Sequence, residues 1–144
     1  MLWSLFSSKN QKLVKGWIKE HEKIVTLAHK VINAYSKGNL KATRKALLEL
    51  NKIAVIHLMN EDIEFYRLLK DDKRTDTETE KLINEFTISF RDTKNVLREF
   101  LLTYTKEDAV LDDKFFDTFN TIVDVLAKRI AFEEGNLYEA LASK

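Results

Sequence analysis

A basic residue stands four positions before a glutamate in a motif that the chain carries twice. The first copy pairs His57 with Glu61, and the second pairs Arg129 with Glu133. This spacing puts both side chains of a pair on one face of a helix. A histidine and a glutamate aimed together into a helical bundle are how di-iron carboxylate sites are built. The first copy therefore suits metal ligation, whereas the arginine of the second copy cannot lose its proton to become a ligand.

The composition indicates a helical protein. The 144 residues include no proline and only three glycines, while 33% are charged and 44% are hydrophobic. This is typical of an all-α chain with enough apolar residues for a substantial core. We predict a single domain over residues 1–144, in which residues 1–8 form an apolar N-terminal arm. That arm either folds over the end of the domain or contacts a partner.

Charge and cysteine content exclude several classes of function. The net charge of +1 gives no indication of a basic surface that would bind nucleic acid. The absence of cysteine excludes disulfides, thiolate ligands and iron–sulfur clusters. No apolar run is long enough to cross a bilayer, and the N-terminal apolar stretch is too short for a secretory signal. We therefore expect a cytoplasmic protein without a membrane partner.

Apolar residues at steps of three and four predict four amphipathic helices, at about 9–36, 40–69, 78–104 and 113–142. Gly38 is expected to end the first helix, and Asn39 to cap the second. Long helices with short connections predict an all-α, up-down-up-down antiparallel four-helix bundle.

Several polar residues lie on the predicted inward stripes, where unpaired burial would cost several kcal/mol each. Counted from one end of an antiparallel bundle, they converge at a common depth of about 16 Å. The third helix places two phenylalanines in the same layer. The residues of this layer are His21, His57, Glu61, Phe86, Phe90, Arg129 and Glu133.

With these residues the chain resembles the hemerythrin-like family, also called the HHE cation-binding domain. The resemblance covers nearly the whole chain and rests on His21, on HLMNED at 57–62 and on RIAFEEGNLYEAL at 129–141. It implies two bridged irons held by five histidines and two carboxylates, in proteins that carry or sense oxygen. Under the resemblance His21 and His57 match terminal ligands of one iron.

The resemblance also implies two bridging carboxylates. Glu61 matches one bridge, and Glu133 or Glu134 matches the other, with Glu133 favoured by its place on the stripe. The histidines of the other iron are missing, because the matching positions are Phe86, Phe90 and Arg129, and no histidine follows His57. A normal di-iron centre is therefore not expected.

Two interpretations of this incomplete site remain open. In the first, Arg129 forks onto the carboxylates and a salt-bridge layer replaces the metals. The protein is then a non-enzymatic regulatory module that needs no cofactor and binds an unknown protein or a second copy. In the alternative, one iron or zinc binds His21, His57, Glu61 and Glu133 or Glu134, in an oxygen or redox sensor or carrier.

Weaker alternatives concern individual residues and the reaction class. The head of Arg129 could reach solvent at the edge of the bundle. Phe86 and Phe90 could be plain core packing, which also fills the volume of an iron and its ligand. An oxidase or peroxidase would need redox iron with an open coordination position.

Overall fold

The computed structural model describes residues 9–70 and 77–139, except for the side chains at 65, 66, 68–70 and 79. The predicted N-terminal arm at 1–8 and the connection at 71–76 lie outside this description. Within the described ranges all regular structure is helical, and the helices form the up-down-up-down bundle that the sequence predicts. The helices are α1 (Lys9–Ser36), α2 (Leu40–Lys70), α3 (Thr77–Ser89), α4 (Thr93–Tyr104) and α5 (Asp113–Phe132), followed by a π-helical segment at Glu133–Leu137.

The turn between α1 and α2 follows the predicted capping chemistry. Gly38 adopts a positive φ of 74°, which a glycine tolerates without steric cost. The side chain of Asn39 accepts a hydrogen bond of 3.0 Å from the backbone N–H of Ala42 and so caps α2. Both predictions for this turn are confirmed. The turn sets α1 and α2 side by side, which matters because these two helices supply both buried histidines.

The third predicted helix is broken, which corrects the single helix expected at 78–104. A turn at 90–92 separates α3 from α4. The backbone N–H of Thr93 bonds to the carbonyl of Phe90 at 3.1 Å, which closes the turn. Asp92 and Thr93 are residue types that favour helix starts over helix interiors, because their side chains compete for backbone groups. The break leaves Phe86 buried and Phe90 half-buried.

The last helix changes from α-helical to π-helical winding at Glu133, one turn after Arg129. It continues as α-helix to Phe132, and in the π-helical segment the backbone N–H of Tyr138 bonds to the carbonyl of Glu133 five residues earlier. This wider turn inserts one residue and turns Glu133, Leu137 and Tyr138 inward together. π-helical turns of this kind occur mostly at functional sites.

The core consists of two apolar clusters with a polar layer between them. The larger cluster, here called the main core, includes Ile24, Leu47, Leu58, Phe115 and Phe119. The smaller one, here called the aromatic end, consists of Val14, Trp17, Ile83, Phe86, Leu137 and Tyr138. Along α1 the buried stripe passes from Trp17 through His21 to Ile24, so the histidine lies at the boundary. Within the described part of the chain, no helix combines the length and apolarity that a membrane span needs.

Candidate metal centre

Three elements place four potential metal ligands around one point. α1 supplies His21, α2 supplies His57 and Glu61, and the π-helical segment supplies Glu133. One ligand atom from each residue lies within 4.8 Å of the other three. All four side chains are buried, and none is more than 3% exposed. The convergence predicted from helix depth is therefore present, and this set of four residues is called the ligand cluster below.

The two histidines point their Nε2 atoms at each other and at carboxylate oxygens. His21 Nε2 lies 2.9 Å from His57 Nε2. His57 Nε2 is 2.5 Å from Glu61 Oε1, and His21 Nε2 is 3.3 Å from Glu133 Oε1. Four atoms that can each carry a lone pair thus face a common centre.

The opposite nitrogen of each ring is held by a carboxylate from outside the cluster. Glu134 Oε2 lies 2.8 Å from His21 Nδ1. Glu20 Oε1 lies 3.1 Å from His57 Nδ1. Because a carboxylate only accepts, these contacts assign the ring proton of each neutral histidine to Nδ1. Each Nε2 then presents its lone pair inward, which is the orientation of a metal-ligating histidine with a carboxylate behind it.

The centre of the cluster therefore needs a proton or a metal ion. Lone pairs at 2.5 to 3.3 Å repel each other unless a proton or a metal ion lies between them. Within the described residues, Glu61 Oε1 and Glu133 Oε2 are buried without a hydrogen-bond partner. The other oxygen of Glu61 is satisfied, since the Tyr138 hydroxyl donates to Glu61 Oε2 at 2.7 Å. The unsatisfied oxygen of Glu61 thus faces the cluster, whereas that of Glu133 faces Arg129.

Burial and mutual contact displace the pKa values of the cluster in opposite directions. Burial, followed by the hydrogen bond and negative charge of Glu61, raises the pKa of Glu133. The pKa of Glu61 is lowered, because bonds with Glu133, His57 and Tyr138 outweigh the effect of burial. The two carboxyl groups therefore share one proton near neutral pH.

The pKa values of the two histidines also diverge. Burial lowers the pKa of His21, which keeps its ring neutral. For His57 burial acts in the same direction, but the hydrogen bond and charge of Glu61, together with Glu20, raise its pKa overall. Protons and metal ions thus compete for the same centre.

Arg129 is buried at the edge of the cluster, at 4% exposure, so its head does not reach solvent. Its Nε lies 3.6 Å from Glu133 Oε2, an ion-pair distance that is too long for a hydrogen bond. The guanidinium carbon stands 4.7 Å from the centroid of the Phe86 ring. The expected fork of Arg129 onto the carboxylates is therefore not formed, because the guanidinium packs on an aromatic face instead.

The residues suit one metal ion and not two. A metal with bonds of about 2.1 Å places neighbouring ligand atoms roughly 3.0 to 3.4 Å apart. The 2.9 and 3.3 Å spacings in the cluster are close to this range, whereas the 2.5 Å between His57 Nε2 and Glu61 Oε1 would have to widen around a metal. Imidazole with carboxylate suits iron or zinc. Arg129, Phe86 and Phe90 are the residues that the resemblance matches to ligands of a second iron. The two phenylalanine rings pack on each other, with centroids 5.4 Å apart, and offer no ligand atom.

The structure separates the two adjacent glutamates and adds residues that the sequence analysis did not assign. Glu133 belongs to the cluster, whereas Glu134 is 37% exposed and contacts the outer side of His21. Glu20 was missed because it is part of the polar face of α1. Tyr138 belongs to the motif at 129–141 but was assigned no role. The available signal was a tyrosine nine residues after the basic residue in both copies, Tyr66 and Tyr138. Trp17 packs on Tyr138, with ring centroids 5.3 Å apart.

Helical bundles that bind cations in their cores do so through buried histidines and carboxylates on facing helices. The bundle and the ligand cluster of this chain have that arrangement. The family model of the hemerythrin HHE cation binding domain matches residues 12–141. The chain therefore belongs to the hemerythrin HHE cation-binding family. A comparison with curated proteins found no match, and a comparison with solved structures found none either.

Proposed function

We propose that this protein binds a single iron or zinc ion through His21, His57, Glu61 and Glu133. With iron bound, it serves as an oxygen or redox sensor or carrier rather than as an enzyme. One observation carries the proposal: both Nε2 atoms converge on two carboxylates while a separate carboxylate holds each Nδ1. A structural salt bridge needs no such arrangement, whereas a metal site does.

In such a site the metal supplies Lewis acidity or, for iron, a change of oxidation state. The protein's own residues hold and insulate it. Glu61 and Glu133 offset its charge, Tyr138 fixes the orientation of Glu61 through the 2.7 Å hydrogen bond, and the two apolar clusters exclude bulk water. A buried site with few exchangeable positions favours sensing or carrying over turnover of a large substrate.

The proposal is tested by metal analysis of protein purified without chelator. We expect close to one metal per chain in the wild type and loss of that metal in His57→Ala. His29→Ala is the matched control, because His29 lies exposed on α1 and its loss should leave the metal content unchanged. Iron-loaded protein should also change its absorption between oxidising and reducing conditions if the metal is redox-active. Wild-type protein without metal, even after loading with iron or zinc, would contradict the proposal.

The second candidate is the metal-free regulatory or partner-binding module. The ion pair of Arg129 with Glu133 favours it, since a buried cation can offset a buried carboxylate. On that hypothesis the wild type takes up no metal, and Arg129→Met destabilises the fold by about 3–5 kcal/mol because it leaves a buried carboxylate alone. Under the metal proposal the same variant still binds metal.

A further inference from the structure

The small net charge of the chain conceals an uneven distribution along the sequence. Residues 1–52 contain 11 lysines and arginines against 3 glutamates, a net charge of +8, whereas residues 53–144 contain 13 against 20 acidic residues, a net charge of −7. Five of the lysines recur along α1 and the turn after it at steps of seven, four, seven and seven, which places them on one face. All five are exposed, and they are called the lysine stripe: Lys12, Lys19, Lys23, Lys30 and Lys37.

The lysine stripe has no counter-charge within the described part of the chain. None of its members forms a salt bridge there, although other exposed lysines do, as in the 2.7 Å pair of Lys94 with Asp62. Lys19 and Lys23 lie one turn apart, where like charges repel each other. From Lys12 to Lys37 the stripe extends about 38 Å. A negatively charged partner of similar length would remove this repulsion.

Two concave grooves lie end to end between α1 and α2, and lysines of the stripe line both. The first, of about 540 Å³, has three alanines in its wall, and the second, of about 530 Å³, has Leu27 and Ile53. Both include Lys30 and Glu49, so they form one continuous groove. Five lysines and two glutamates line it in all. A concave surface with small and apolar walls and charged edges suits a docked helix, whereas a flat lipid surface would leave it unfilled.

The outer face of α2 adds apolar surface to the same side of the bundle. Ile56, Met59 and Ile63 recur at steps of three and four, and each is more than half exposed. These three residues are called the outer patch. Ile53, in the wall of the groove, precedes Ile56 by three residues, so the patch continues the groove along α2. Apolar side chains exposed together on successive turns mark an interaction surface.

Gly16 on α1 is the third feature of this side. α1 and α2 run antiparallel, and the Nε2 atoms of His21 and His57 lie 2.9 Å apart. Gly16, about one and a half turns before this point on α1, therefore lies near the level of Ile63 on α2. It is exposed, its φ is not positive, and an added Cβ would meet no described atom within 4 Å. A glycine inside a helix is destabilising. The described fold does not require it, whereas a helix docked against α1 could approach closely there.

We propose that the side of the bundle formed by the lysine stripe, the groove and the outer patch binds an acidic amphipathic helix of a partner protein. The partner's carboxylates pair with the lysines, and its apolar edge covers the outer patch. A helix of about 18 residues spans the roughly 27 Å from Lys19 to Lys37. This inference goes beyond the proposed metal binding and does not depend on it. His57 and Glu61 lie on the opposite, buried face of α2, so one helix carries both the ligand cluster and part of the partner surface.

The probe is a synthetic helical peptide of about 18 residues built from glutamate, alanine and leucine. Its glutamates follow the steps of the lysine stripe, and its leucines occupy the adjacent face. A peptide of the same composition, with both residue types scattered around the helix, is the control. Fluorescence anisotropy of the labelled peptides measures their dissociation constants with the full chain at about 0.15 M salt, where long-range attraction between exposed charges is screened.

Two pairs of variants are compared with the wild type. Lys23→Glu/Lys30→Glu reverses charges in the groove, and Lys81→Glu/Lys128→Glu is its matched control, because these lysines are exposed on α3 and α5. Ile56→Ser removes an apolar side chain from the outer patch. Its matched control is Ile88→Ser, since Ile88 is exposed on α3.

We expect the wild type to bind the patterned peptide at least about tenfold more tightly than the scattered one. Lys23→Glu/Lys30→Glu should weaken this binding about tenfold or more, because it replaces attraction by repulsion, whereas Lys81→Glu/Lys128→Glu should stay within about twofold of the wild type. Ile56→Ser should weaken binding about threefold or more through lost apolar contact, and Ile88→Ser should leave it unchanged.

Gly16→Leu separates a docking role from a structural one. Leucine favours the helix more than glycine does and has room in the free protein, so the melting temperature should stay the same or rise. The added side chain should nevertheless obstruct the approach of the peptide and weaken its binding about fivefold or more. Unchanged binding in this variant would contradict close docking against α1.

Equal weakening by both lysine pairs, or equal binding of the two peptides, would overturn the docking site, because it would show only general attraction between opposite charges. Binding to phosphatidylcholine vesicles with about one-fifth phosphatidylserine, without binding of the patterned peptide, would assign the surface to a membrane instead. Self-association in sedimentation experiments that Lys23→Glu/Lys30→Glu abolishes would assign it to a second copy. Metal content is measured separately, so failure of the docking site leaves the metal proposal intact.

Discussion

The main core and the ligand cluster are buried to the same degree but differ in what they need. Leu47 and Phe115 are fully buried in the main core, as Glu61 is in the cluster. Packing alone satisfies the first region, because apolar atoms require only neighbours. The cluster instead holds lone pairs that face one another and oxygens without donors. Equal burial thus stabilises the main core directly, while the ligand cluster also needs a proton or a metal ion between its lone pairs.

The largest effect should come from the main core. Leu47→Ala is expected to lower the free energy of unfolding by about 2–5 kcal/mol, because it leaves a cavity in a fully buried position. The matched control is Leu48→Ala, which should change stability by no more than about 0.5 kcal/mol, since Leu48 is exposed. Urea unfolding of the metal-free protein measures both.

The same pair of variants tests whether the two regions are separable. Leu47 lies ten residues before His57 on α2, a distance of about 15 Å along the helix. Metal stoichiometry should therefore be unchanged in folded Leu47→Ala. If the folded variant loses its metal, the main core and the ligand cluster form one cooperative unit and not two separable regions.

An intermediate effect on metal affinity is expected from Glu134 and Glu20, the outer carboxylates that contact the Nδ1 atoms of the two histidines. Glu134→Gln and Glu20→Gln should each weaken metal binding by about 10- to 100-fold, because the histidine they hold loses its fixed tautomer and orientation. Glu22→Gln, at an exposed position on α1, should bind metal like the wild type. Competition with a coloured chelator measures all three. Wild-type affinity in both outer variants would show that the rings are positioned by packing alone.

The smallest expected effect is the pH dependence of metal affinity. The raised pKa of Glu133 and the raised pKa of His57 mean that the metal-free cluster holds protons near neutral pH that the metal must displace. Because the metal-free form binds more protons, raising the pH favours the loaded form. Affinity should rise by up to about tenfold between pH 7 and pH 8, as for the release of one proton. Chelator competition at several pH values checks this, and a flat profile would show that the centre holds no displaceable proton.

Features set by local chemistry could be predicted from the sequence. The end of α1 and the cap of α2 depend on Gly38 and Asn39, whose preferences act over a few residues. The convergence of His21, His57, Glu61 and Glu133 followed from helix depth in the predicted antiparallel bundle, because helices rise by a constant amount per residue. These parts of the fold and site require only local preferences and the predicted order of the helices.

The remaining features depend on contacts between helices. The turn at 90–92 and the π-helical segment are small departures from regular winding, which the apolar pattern does not encode. The direction of Arg129 depends on the aromatic face of Phe86, so a fork onto carboxylates was the wrong expectation. Glu20 faces His57 only because α1 and α2 pack side by side, and on α1 alone it looks like any solvated acid.

At the start of the π-helical segment, two consecutive glutamates contact the two ring nitrogens of one histidine. Glu133 approaches Nε2 of His21 at 3.3 Å while Glu134 holds Nδ1 at 2.8 Å, so neighbours in the chain act as a pincer. Shortening the segment by a single residue would swing everything beyond it by about 100° around the helix axis. The Tyr138 ring would then no longer stack on the His21 ring. The bundle would lose these contacts with the imidazole and would end in an ordinary α-helix.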